Sequence, residues 1–142
     1  MGNAPDMRER IGEDVFVLGY PRGLTGGALL PIWKRGTIAT EPMFDHHQLP
    51  RFLIDTATRE GMSGAPVIAR ANSGSYQDTS GVSVMALRSQ NLSPPTKFVG
   101  IYSGRIPGAI DLEAQVGIVW KARVVEEIVL GGQQGLTDDC EA

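Results

Sequence analysis

The sequence predicts an all-β fold, a six- to seven-stranded antiparallel barrel with one C-terminal helix. Three observations predict it. Glycine and proline number 18 and 9 among 142 residues and recur at short intervals, as the turns between strands require. Between them lie short runs rich in Val and Ile, too brief for buried helices. Helical spacing of apolar residues is convincing in only one segment, near the C-terminus. The chain is long enough to enclose one hydrophobic core.

Residues 1–13 are polar and read as a linker or leader, ahead of a barrel over 14–131. Residues 15–20 form a buried strand that ends at Pro21-Arg22-Gly23, and a loop follows through Thr25-Gly26-Gly27. Residues 33–40 alternate well enough to be the second strand. Residues 41–50 hold two prolines with His46 and His47, so they form a loop. Residues 52–58 make the third strand, and 66–69 the fourth, ended by Asn72-Ser73-Gly74-Ser75. Residues 82–88, 97–103 and 116–121 supply three more. The helix spans 122–130, where Val124, Val125, Ile128 and Val129 form a stripe expected to contact the core. Gly131-Gly132 stops it, and 132–142 is an acidic tail.

The charge pattern narrows the function. The net charge is −3 with both signs scattered, so no basic cluster argues for nucleic acid. No apolar run is long enough to span a membrane, and residues 1–10 lack the apolar core of a signal peptide. Cys140 is the single cysteine, which excludes an intrachain disulfide and a CxxC metal site. These features lead to an expected cytoplasmic location. No cofactor or metal is expected, because His46 and His47 have no obvious third ligand.

The stretch that carries chemistry is Gly61-Met62-Ser63-Gly64-Ala65-Pro66-Val67. Glycines on both sides of a serine allow a tight turn where a β-carbon would clash. Such a turn can aim the N–H groups of Gly61 and Ser63 at one point, where a carbonyl oxygen becoming an oxyanion would sit. Pro66 and the Val-Ile-Ala after it predict a strand downstream of the serine. The GxSxG elbow of α/β-hydrolases instead leads into a helix, and no β-α alternation exists here.

These residues resemble the nucleophile motif of the trypsin-like (chymotrypsin-fold) serine peptidases, most closely the disulfide-free bacterial forms. Glycine usually stands there at the position of Ala65. Phe98-Val99-Gly100-Ile101-Tyr102-Ser103-Gly104 is similar to the family's substrate-binding strand. Val116-Gly117-Ile118-Val119-Trp120 before a helix looks like its closing strand, and Val17-Leu18-Gly19-Tyr20-Pro21 like the strand opening its second barrel. The likeness covers roughly residues 12–130 and belongs entirely to that second barrel.

The resemblance implies that Ser63 is the nucleophile and that Gly61 and Ser63 supply the oxyanion hole. It implies that Ala57 and Thr58 floor the specificity pocket, that Tyr102, Ser103 and Gly104 pair with substrate backbone, and that Gly117 opens a pocket wall. A small neutral Ala57 implies no strong preference for a cationic side chain. The family's His and Asp come from its first barrel, for which the 62 residues before Ser63 leave no room. Adjacent residues such as Asp45 and His46 rarely orient each other as that pair must, so a solvated loop is the expected setting for the histidines. Two functions are therefore weighed. One is the C-terminal half of a serine endopeptidase, acting on extended peptides or proteins and completed by the missing barrel or a partner subunit. The other is a pseudopeptidase or peptide-binding module. On either, the face toward a missing barrel is expected to be apolar and exposed.

Overall fold

The computed structural model describes residues 7–59, 61–71, 75–78, 80, 83–85, 94–106 and 115–132. Its strands are β1 (Asp14–Gly19), β2 (Ile32–Ile38), β3 (Arg51–Asp55), β4 (Pro66–Arg70), β5 (Ser75–Gln77), β6 (Ser83–Met85), β7 (Thr96–Arg105) and β8 (Val116–Lys121). One helix, α1 (Ala122–Gly131), follows β8 directly. Six strands close into a barrel in the order β1-β2-β3-β8-β7-β4, and β4 returns to β1. Every pairing is antiparallel. The all-β barrel with a C-terminal helix is thus the observed fold.

Period-two patterning builds the wall. Along β1, Val15 and Val17 point inward and are fully buried, while Asp14, Phe16 and Leu18 lean outward. Phe16 meets Trp33 on the outer surface at 5.8 Å between ring centroids. Ile38, Phe52, Ile54, Val67, Val99 and Val119 fill the interior with the β1 valines. In β3 the pattern becomes a buried run, Phe52-Leu53-Ile54, because both faces are covered.

Four expectations need correction. The segment read as a leader joins the folded body from residue 7. Met7 is buried in the core, Arg8 N–H donates to Gln77 C=O at 2.8 Å, and Lys97 Nζ holds both Met7 C=O and Glu9. Met7 and the other scattered apolar residues of 1–13 set neither a strand nor a helix period that would signal this. The strand placed at 82–88 is observed only as β6, which pairs with β5 as a separate ribbon outside the barrel. Residues 86–88 lie outside the described residues, as do Cys140 and nearly all of the tail. The strand placed at 52–58 ends at Asp55, after which Thr56 N–H bonds Gln115 C=O and the chain turns toward Ser63. The helix buries none of its residues, and Ile128 and Val129 are 68% and 71% exposed. It packs on β7 and β8 through its first turns and then leaves the barrel.

Strand direction sorts the loops onto two ends. β1 finishes at Gly19, beside Met62, and β7 finishes at Arg105, close to Ser63. The end of β3 opposes the start of β8 there, Asp55 facing Val116. The other end holds the loop before β3 and the start of α1, linked by Lys121 Nζ to Asp45 at 2.6 Å.

Candidate functional site

The serine turn is built from two left-handed glycines around one anchored side chain. Gly61 and Gly64 have φ of 88° and 85°, which a β-carbon strongly disfavours. At Gly61 space is tight as well, since a Cβ would lie 3.0 Å from Tyr20 O and 3.1 Å from Arg22 N. Met62 is fully buried between the glycines and Ser63 is exposed. The turn is pinned to the barrel by Gly64 N–H to Tyr102 C=O at 2.8 Å, Tyr102 N–H to Ala65 C=O at 2.9 Å, and Ala65 N–H to Met62 C=O at 3.1 Å. The N–H groups of Gly61 and Ser63 meet no acceptor among the described residues. The turn therefore offers an exposed hydroxyl flanked by two uncommitted backbone donors.

Ser63 opens onto a pocket of about 410 Å³, lined also by Arg22, Thr58, Arg59, Tyr102, Gly104 and Arg105. Thr58 and Tyr102 are buried and share a short hydrogen bond between their hydroxyls. Arg105 donates to Thr58 C=O at 2.6 Å, which ties the end of β7 to the loop after β3. A Cβ on Gly104 would lie 3.5 Å from Ser63 Oγ, an ordinary contact that places this residue beside the hydroxyl, and its φ of 110° is what favours glycine there.

The fold brings Gly61, Ser63, Thr58, Tyr102 and Gly104 together, and it sorts their parts. Tyr102 spends its backbone N–H and C=O on the serine turn, so it reaches the pocket through its ring. β7 continues past its last β4 partner, Ile101 opposite Pro66, and leaves the edge from Ser103 to Arg105 without a strand on the β4 side. Ser103 and Ala57 are exposed and lie outside the pocket lining. Gly117 is buried, and the Tyr102 ring occupies the space that a Cβ there would need.

The histidines sit elsewhere. His46 and His47 form a short 3₁₀ turn, His46–Gln48, just before β3, at the barrel end opposite Ser63. Five residues of β3 intervene, a rise of roughly 16 Å. Asp45 cannot orient them, because its carboxylate is held by Lys121 and Arg123, both at 2.6 Å. Those bonds, from Lys121 first and then Arg123, hold the Asp45 pKa below its ordinary value. Desolvation, then the charges of His47 and Arg51, lower that of His46, whose Nδ1 is shielded from solvent and meets no hydrogen-bond partner among the described residues.

Three pocket residues escaped sequence reasoning: Arg22, Arg59 and Arg105. Each directly follows a residue already singled out, namely Pro21, Thr58 and Gly104. Nothing local says that they meet, because two separate loops and the end of β7 deliver them.

Among the described residues, no helix is long and apolar enough to cross a membrane. No protein-family model matches the chain, and no curated protein matches it.

Proposed function

We propose that the chain is the nucleophile-bearing barrel of a trypsin-like serine endopeptidase. Ser63 attacks the carbonyl of an extended peptide, and the N–H groups of Gly61 and Ser63 receive the oxyanion that forms. The Ser63 proton passes to an imidazole supplied from outside this barrel, with its orienting carboxylate. The same imidazole returns that proton to the leaving amine, and water then releases the acyl group. The peptide lies along the open β7 edge at Gly104, as an added strand. The observation that carries this reading is the turn itself, an exposed serine at a pocket mouth beside two N–H donors that meet no acceptor among the described residues.

A second reading, a module that binds peptides without cutting them, draws support from one observation. Both histidines of the chain lie at the far end of the barrel from Ser63. A fluorophosphonate probe separates the two. On the peptidase reading, Ser63 is modified ahead of every other serine, slowly without the imidazole, and Ser63→Ala abolishes the modification. If the native chain is not modified, or Ser63→Ala changes nothing, the peptidase reading falls and binding without cleavage stands.

A further inference from the structure

We propose that the Ser63 pocket is an anion site, selecting a peptide residue with a carboxylate side chain through Arg22, Arg59 and Arg105. The proposal rests on the reading above only in taking a peptide as the occupant. Among the described residues, seven line the pocket, three of them arginines and none acidic. Composition does not account for this, because acidic residues outnumber basic ones, 16 to 13.

Elsewhere three arginines of the barrel are neutralised, while Arg8, Arg51 and Arg70 meet Met43, Trp120 and Trp33 and no carboxylate among the described residues. Arg10 pairs with Glu13, Arg35 with Asp14 and Arg123 with Asp45. Among the described residues, no carboxylate pairs with Arg22, Arg59 or Arg105. Arg105 is positioned rather than neutralised, since its bond to Thr58 C=O uses one of five N–H donors. Arg22 is held in the left-handed region, φ 51° and ψ 32°, which disfavours any residue with a β-carbon. Its backbone N lies against Gly61, so this strained residue is packed on the nucleophile turn itself.

Like charges gathered in one concavity repel each other, and an anion placed among them relieves the repulsion. A carboxylate adds charge-assisted, bidentate hydrogen bonds to the planar guanidinium. A lysine side chain meets repulsion in the same place, and a neutral one leaves the guanidiniums unpaired. The positive field continues outward. A neighbouring pocket of about 490 Å³ shares Arg22 and Arg59 and adds Lys34 against Pro21, Leu24 and Ile32. The occupant that fits is therefore an acidic residue beside Ser63 within an acidic segment.

The test is an NMR titration of the ¹⁵N-labelled chain carrying Ser63→Ala, which removes chemistry from the readout. The probes are three blocked peptides, acetyl-Ala-Ala-X-methylamide, with Glu, Gln or Lys at X. The Glu peptide is expected to bind about tenfold tighter than the Gln peptide, with shifts at Thr58, Gly104 and residue 63. That ratio shrinks as salt rises from about 50 to about 300 mM, because the pocket is open to solvent. Arg59→Gln, and separately Arg105→Gln, lower the Glu affinity while sparing the Gln affinity. The Arg59 variant keeps the bond to Thr58 and so guards against misfolding. Equal affinities for Glu and Gln, a preference for Lys, or no shift with any peptide at millimolar concentration overturns the proposal. Glu selectivity without fluorophosphonate labelling strikes only the peptidase reading. Labelling without Glu selectivity strikes only this one.

Discussion

Met62→Ala tests whether the serine turn is held by one buried side chain. Met62 is fully buried beneath the exposed Ser63. Its Sδ would lie 2.9 Å from a Cβ on Gly19, and its Cε 3.3 Å away, so the thioether fills the volume that this glycine leaves. The neighbouring Ala65 is small too, so little can collapse into the space when Met62 is cut back. Met→Ala substitutions in cores cost about 2–5 kcal/mol, and a site that cannot collapse belongs in the upper half, near 4 kcal/mol. In a domain of this size that lowers the melting temperature by about 10 °C or more. Met62→Leu conserves volume and is expected to cost less than about 1.5 kcal/mol. Urea denaturation followed by circular dichroism gives both values, and fluorophosphonate labelling gives the state of the turn. Met62→Ala is expected to slow labelling of Ser63 more than Met62→Leu does. A loss below about 1 kcal/mol for the alanine variant would refute the anchoring argument.

Two further outcomes follow from the geometry. Gly117→Ala forces the Tyr102 ring from its place and strains the Thr58 contact, so urea titration is expected to show a loss of about 1–3 kcal/mol; an unchanged midpoint would show that the ring has room. His46, depressed by burial first, is expected to titrate by NMR below the ordinary histidine value of 6.5. The fold then binds fewer protons than the unfolded chain, so this contribution to stability is full above pH 6.5 and declines as the pH falls below it. His46→Asn is expected to flatten that acid limb, and a midpoint at or above 6.5 would contradict the desolvation of its Nδ1.

The elements that proved legible are those whose signal is local. Alternation of Val15 and Val17 with polar or outward neighbours marks a strand without knowledge of its partners. Pro66 after the Gly61–Gly64 turn announces a strand, and β4 begins at that proline. The helix was legible from its spacing, but its role was not. Val124, Val125, Ile128 and Val129 read as one stripe, yet burial fades after the first turns because the barrel does not extend beneath the rest. Met7 failed in the opposite sense, an apolar residue outside any local period that is brought to the core by long-range contacts with Asp78 and Lys97. At the site, Ser63, Gly61 and Thr58 were visible beforehand and the three arginines were not.

Most strand segments, the turn at Ser63 and the terminal helix are specified by residues a few positions apart. The tertiary structure decided what meets that serine. Closing β7 between β4 and β8 sets Tyr102 under the turn and Gly104 beside Ser63. The same closure gathers Arg22 and Arg59 from two loops and Arg105 from the end of β7, and strand direction sends both histidines to the opposite end. Register and closure are long-range properties of antiparallel pairing, which no local window of residues encodes.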